Sequence, residues 1–251
     1  MTTDNPVALI TGGARGIGAA CARMLAAQGC DIAFSYRGDD AAAEALSAEI
    51  EAAGVQALGL KADMATEDGV LALFTAADGR FGRLDHVVVN AGITGRIQRV
   101  EDMTADDIRS VVDLNVTGAL LTAREAVRRL STDRGGKGGS IVFISSAAAW
   151  LGSPNEFVHY AGSKGAVNSM TIGLSKEVAR AGVRVNAVAP GLIETDIHAA
   201  AGLPDRVERL KDAVPLGRGG TAEEVAECVC WLLSDAARYV TGAVLPVSGG
   251  R

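Results

Sequence analysis

Tyr160 and Lys164 stand four positions apart in the stretch VHYAGSKGAV, residues 158–167. On a helix they fall one turn apart on one face. A free phenol titrates near pH ~10 and is a poor base at neutral pH. An ammonium a few Å away favours the phenolate, so the pair is suited to giving a proton to an oxygen or taking one from it. A shift of ~3 pKa units corresponds to ~4 kcal/mol, which a neighbouring cation in a partly desolvated site can supply. Ala161, Gly162 and Gly165 surround the pair with small side chains and let such a helix pack closely. Taken singly, Tyr-x-x-x-Lys is usually a surface pair. Ser146, just after the run SIVFIS, is usually a strand-end hydroxyl, and Asn115 a group that bonds backbone inside a helix. Only the set, in this order, argues for chemistry.

A second constellation lies near the start, in ALITGGARGIGAACARML. Gly12, Gly13, Gly16 and Gly18 fall between a strand-like run and a helical pattern, with Arg15 and Ile17 among them. Glycines at such a turn let backbone N–H groups approach a pyrophosphate, and the helix N-terminus adds partial positive charge. The spacing is T-G-x-x-x-G-x-G rather than G-x-G-x-x-G. About 20 residues further on, an acidic residue usually holds the ribose 2′-OH of a dinucleotide. Here FSYRGDD places Tyr36 at that position and Arg37 after it. Arg15 and Arg37 together suit a 2′-phosphate, which favours NADP over NAD, while Asp39 and Asp40 oppose that field.

These residues need a scaffold, and the hydrophobic pattern supplies one. Strands are expected at 7–11, 31–36, 55–60, 86–90, 140–145, 183–188 and 243–247, all nearly continuous apolar runs. Helical patterns fill 17–28, 40–53, 66–80, 104–130, 157–180 and 221–234, the last opened by the cap-like Thr221. Such alternation predicts an α/β fold: a single-domain, Rossmann-type doubly wound parallel sheet of about seven strands, with helices on both faces. Residues 192–220 break the alternation, and a lid over the site is expected there. The loop STDRGGKGGS, residues 131–140, lacks the GK[ST] ending of a phosphate-binding loop and reads as a surface turn.

Composition narrows the rest. The 251 residues are 48% hydrophobic, carry 31 glycines and have a formal net charge of −6, with no Lys/Arg run to bind nucleic acid or an acidic membrane. No CxxC motif occurs, and Cys21, Cys30, Cys228 and Cys230 read as small thiols in a reducing cytoplasm, with no metal site. The opening MTTDNPVALI has no basic n-region, so neither a signal peptide nor a membrane span is expected, and the protein is expected to be cytoplasmic. His86 reads as structural. His159, ~100° around the helix from Tyr160, reads as non-catalytic and at the pocket rim. Trp150, Glu156, Ile193 and His198 are candidates for lining a substrate pocket.

Over nearly its whole length the chain resembles the short-chain dehydrogenase/reductase family. TGGARGIG matches that family's cofactor turn, and YAGSK its Tyr-Lys motif. The resemblance implies that Asp63 and Met64 of KADM, and Asn90, Ala91 and Gly92 of VNAG, lie along the adenosine half of the cofactor. It implies that Pro190, Gly191, Ile193 and Thr195 of NAVAPGLIET line the nicotinamide, and that PVSGG is the last strand and tail. It assigns Asn115 of LNVTG, Ser146 of FISSAAA, Tyr160 and Lys164 to catalysis: Ser146 bonds the reacting oxygen, Lys164 holds ribose hydroxyls, and Asn115 holds a water leading to Lys164. Val89 stands where the family commonly has a second Asn. Ser146 and Tyr160 are 160 − 146 = 14 apart, about one residue more than is usual in the family; Ser146 is preferred to Ser145. The implied activity is NADP-dependent hydride transfer between cofactor and a carbonyl/alcohol substrate, by a homotetramer resembling 3-oxoacyl-carrier-protein reductases and glucose dehydrogenases. Two alternatives keep the fold: a non-catalytic NADP(H) sensor, and a lyase or dehalogenase without hydride transfer.

Overall fold

Val7–Ile10 (β1) is buried at every residue, yet its side chains alternate between two cores, because successive residues of a strand point to opposite faces. Ala8 and Ile10 pack on one side of the sheet, Val7 and Leu9 on the other. A strand buried on both faces reads as an unbroken apolar run, which is the pattern the sequence carries. The computed structural model describes residues 4–195 and 201–251. The other strands are Asp31–Tyr36 (β2), Ala57–Lys61 (β3), His86–Val89 (β4), Gly139–Ile144 (β5), Val183–Pro190 (β6) and Val244–Val247 (β7). They form one parallel sheet in the order β3-β2-β1-β4-β5-β6-β7.

Helices join the strands as crossovers: Gly16–Ala27 (α1), Asp40–Ala52 (α2), Glu67–Phe81 (α3), Ala105–Val112 (α4), Ala119–Leu130 (α5), Ala148–Leu151 (α6) and Val158–Val178 (α7). Arg206–Leu210 (α8) and Ala222–Leu233 (α9) follow β6. Helices α1, α2 and α9 build the core on one face, and α3, α5 and α7 the core on the other. Thr221 caps α9 in a reciprocal box with Glu224. The strand order reverses between β1 and β4, so a crevice opens at the carboxyl ends of these strands. No described helix is long and apolar enough to cross a membrane.

The helix expected at 104–130 is interrupted. Asp113–Gly118 winds as a π-helix between α4 and α5. Within it the Asn115 amide turns to the backbone of Ile93, and Gly118 lies against the Met64 carbonyl, where no side chain fits. A widened turn places one helical residue out of register, and this one aims Asn115 inward.

Residues 192–220 are fastened at their base. Ile193 and Gly220 form an isolated parallel bridge; Glu194 N donates to Gly220 O (2.9 Å) and Gly220 N donates to Leu192 O (2.9 Å).

Candidate active site

Helix α7 carries Tyr160 and Lys164 into the crevice. Ser146 follows β5 and hydrogen-bonds the Tyr160 phenol. Lys164 Nζ lies 5.7 Å from the centre of the Tyr160 ring and donates to the carbonyl of Ile144 at 2.7 Å. The sequence expectation of a depressed phenol pKa is corrected here. Burial pushes Tyr160 above its usual value and outweighs the Ser146 bond, which pulls it down. Burial also lowers Lys164, to about 8. A low-dielectric pocket disfavours both charges, and the ammonium faces a backbone carbonyl rather than the phenol oxygen.

The adjacent hydroxyls have different surroundings. Ser145 is buried; its Oγ lies 2.6 Å from Asn168 Oδ1 and 3.3 Å from the carbonyl of Lys164. Ser146 Oγ accepts from Ala148 N at 3.1 Å and meets Tyr160. Asn168, one turn beyond Lys164 on α7, therefore holds the first serine down and leaves the second facing the phenol. Replacing Asn168 with Leu is expected to lower kcat by about tenfold at unchanged cofactor affinity, while Asn168→Asp, which keeps an acceptor, restores most of it. Steady-state kinetics on both variants checks this, and a Leu variant with full kcat refutes it.

Asn115 lies outside the cavity wall and is 1% exposed. Its Oδ1 accepts from Ile93 N (2.9 Å), and its Nδ2 donates to Ile93 O (2.8 Å) and Ser163 Oγ (3.0 Å). Ser163 Oγ in turn donates to Tyr160 O at 2.7 Å. The amide is thus engaged in tying the loop after β4 to the Tyr160 turn.

The glycine turn also lines the crevice. Gly12 and Gly16 have φ of 64° and 54°, conformations that favour glycine. Gly12 N donates to Ser35 Oγ (3.0 Å), and Asn90 Nδ2 donates to the carbonyls of Thr11 (2.9 Å) and Gly12 (2.8 Å). Thr11 Oγ1 accepts from the backbones of Asn90 and Ala91, both at 3.0 Å. Thr11, which opens the T-G-x-x-x-G-x-G spacing, and Ser35, which no spacing rule singles out, thus shape the turn. Gly18 does not line the cavity: an added Cβ there would sit 2.5 Å from Gly12 O and 2.6 Å from Asn90 Nδ2, so its role is close helix packing.

The remaining predicted residues converge on one cavity of about 970 Å³. Gly12, Arg15, Gly16, Ile17, Arg37, Asp63, Met64, Asn90, Ala91 and Gly92 line it, together with Ser146, Tyr160, Lys164, Pro190, Gly191, Ile193 and Thr195, and Thr195 lies against Gly16. Arg15 and Arg37 are exposed and stand 3.8 Å from Asp39 and Asp63, distances at which exposed pairs hold weakly. The acidic residues beside them have other partners. Asp39 accepts from Ala42 N (3.0 Å), and Asp40 binds Lys61 (2.8 Å) and the Tyr36 hydroxyl. Two cations therefore face the cavity where β2 ends. The glycine cradle, the paired guanidiniums and the elongated crevice fit a phosphorylated dinucleotide.

Beyond Tyr160 the wall is formed by Leu151, Pro154, Phe157, Glu156 and Arg206. Trp150 is half-exposed outside the cavity, and His159 packs on Gly95 rather than at the rim, its ring nitrogens buried without partners. Burial lowers the pKa of His159. His198 lies outside the described residues. Arg206 had no signal in the sequence. Among the described residues no cluster of His, Cys, Asp or Glu is arranged for a metal.

A family model described as enoyl-(acyl carrier protein) reductase matches residues 12–251. The chain is 49% identical over 245 residues to the uncharacterized oxidoreductase YgfF of Escherichia coli (strain K12), covering 98% of this chain and 99% of the other. Among solved structures, a short-chain dehydrogenase from Burkholderia cenocepacia J2315 in complex with NADP is 34% identical with a TM-score of 0.90, covering 98% and 97% of the two chains. A 3-ketoacyl-(acyl-carrier-protein) reductase from Brucella melitensis complexed with NADH is 33% identical with a TM-score of 0.90, covering 98% of each.

Proposed function

The chain belongs to the short-chain dehydrogenase/reductase family of oxidoreductases, and from that premise we propose that it reduces a carbonyl compound, or oxidises the matching alcohol, with NADP(H). The observation that carries this reading is that Ser146, Tyr160 and the buried Lys164 line the same cavity as Gly12 and Gly16 of the glycine cradle. A bound nicotinamide supplies or accepts the hydride. The chain's own residues handle the oxygen. Tyr160, its pKa raised by burial, carries its proton at neutral pH and donates it to the carbonyl oxygen in reduction. Ser146 bonds the same oxygen and fixes its position. Lys164 places a positive charge behind the phenol, where it steadies the phenolate left after proton donation. Asn115 positions Tyr160 through Ser163.

Arg15 and Arg37 support NADP as the preferred cofactor, through charge-assisted bonds to a 2′-phosphate. Alanine at both positions is expected to weaken NADPH binding about 10- to 100-fold and leave NADH within about twofold. Fluorescence titration of each cofactor checks this, and an unchanged NADPH/NADH ratio refutes it. Arg206, the first residue of α8, lines the cavity, which supports reading the stretch around it as a substrate lid. Exposed Ile108, Leu120 and Ile172 on α4, α5 and α7 support assembly into a homotetramer. The reading as a whole is tested by following absorbance with NADPH and NADH over ketones, diketones, quinones, sugars and 3-oxoacyl thioesters. Turnover that favours NADPH supports it. Tight NADPH binding without turnover on any of them favours a sensor.

A further inference from the structure

The proposed reaction leaves one cluster at the cavity wall without a role. Arg206 Nη2 lies 2.5 Å from Glu156 Oε2, with side chains only 14% and 33% exposed. The Arg206 guanidinium also lies over the Phe157 ring, 5.2 Å from its centre. All three residues line the cavity. Glu156 and Phe157 end the loop before α7, and Phe157, its N-cap, stands three residues ahead of Tyr160 along the chain. Arg206 comes from the other side, as the first residue of α8.

The pair has a fixed side and a tethered side. The carbonyl of Glu156 accepts from Gln98 N at 3.1 Å, which holds the loop to the segment after β4. Around it the backbone is held in left-handed conformations at Ser153 (φ 43°) and Asn155 (φ 63°), so the loop has little freedom to shift. On the other side, Ile193 and Gly220, which flank α8 in the chain, are joined by an isolated parallel bridge. Arg206 lies between the two in the chain and makes the described ion pair across to the α7 side.

We propose that Glu156 and Arg206 are the specificity-determining residues of the substrate pocket. Their ion pair forms a cross-wall close to Tyr160, which admits carbonyl substrates with a short remote end and resists those with a long one. This rests on the reductase reading of the same site. A long substrate must part a charge-assisted, ring-stacked contact that is partly shielded from water. That costs it about 10- to 100-fold in kcat/KM relative to a short one. Removing either partner opens the wall, and exchanging them rebuilds it.

Two measurements on the full chain test this. The first is kcat/KM over a series of 3-oxoacyl thioesters from short to long acyl chains, for the parent, Glu156→Ala, Arg206→Ala and the exchange variant Glu156→Arg/Arg206→Glu. The expected result is a steep fall with chain length in the parent, a flattened profile in each single variant, and the fall restored by the exchange. Single variants that keep the parent's profile overturn the proposal. The second is amide hydrogen exchange, which needs no turnover. Exchange in 152–157 and in 206–210 is expected to rise together, about tenfold, in both single variants and to return in the exchange variant. Unchanged exchange in the single variants overturns the cross-wall even if the enzyme is an active reductase. A parent that turns over nothing refutes the reductase reading, and the exchange data then decide whether the cross-wall exists.

Discussion

Tyr160→Phe is expected to lower turnover by about a thousandfold while cofactor affinity stays within about threefold. The ring is only partly exposed, so Phe keeps the packing and loses only the hydroxyl that Ser146 bonds. The proton for the substrate oxygen then has no donor in place, because Lys164 Nζ faces the Ile144 carbonyl and His159 faces Gly95. Comparing NADPH turnover with NADPH titration on the same sample separates the two effects. Turnover equal to the parent's would remove the phenol from the mechanism. A parallel loss of binding would show that the substitution disturbs the cradle instead.

The second large effect is expected from Gly18→Val. An added Cβ would meet Gly12 O at 2.5 Å, Asn90 Nδ2 at 2.6 Å and Gly13 Cα at 3.0 Å. Two of these atoms are backbone of the turn itself, and the third already donates to Thr11 O and Gly12 O. Relief therefore requires moving α1 away from the turn or breaking the Asn90 bonds. Overpacking of this kind costs about 1–3 kcal/mol, equivalent to about 5- to 150-fold in affinity for a ligand that needs the turn intact. Melting temperature and NADPH titration read the two consequences together. Gly162→Ala is the control: it sits on the Tyr160 helix, where an added Cβ meets nothing within 4 Å, and both readouts should hold.

The parts of the site legible in the sequence were those set by short-range spacing. The Tyr160–Lys164 relation depends only on helical period, and the cradle only on glycines between a strand and a helix. The sheet was legible because strands buried on both faces are apolar without interruption. What escaped depends on contacts between distant segments. The π-turn at Asp113–Gly118 accompanies a bond from Asn115 to Ile93, 22 positions away, and nothing in LNVTG alone announces it. Arg206 lies in a stretch with no periodicity of its own, and its partner is 50 positions earlier. The direction of the Tyr160 shift was misread for a related reason: spacing shows that a cation is near, but not how completely the pair is withdrawn from water. Trp150 and His159 were placed at the pocket by proximity in sequence, whereas one turns outward and the other toward Gly95.

The strand order also governs how the molecule comes into being. Every pairing in the sheet is parallel, so no strand can zip onto its neighbour through a tight hairpin. β1 must wait for residues 86–88 to complete its second edge, and β6 must wait for residues 244–247. During synthesis β6, eight residues long, therefore presents an open and largely apolar edge until residues 244–247 have been delivered. Such a chain spends its growth in a state prone to pairing with the wrong partner, and its folding is slow because the decisive contacts are non-local. A nick that removes only β7 would leave the cradle, Tyr160 and Lys164 in the sequence, yet return the protein to that sticky, unfinished state.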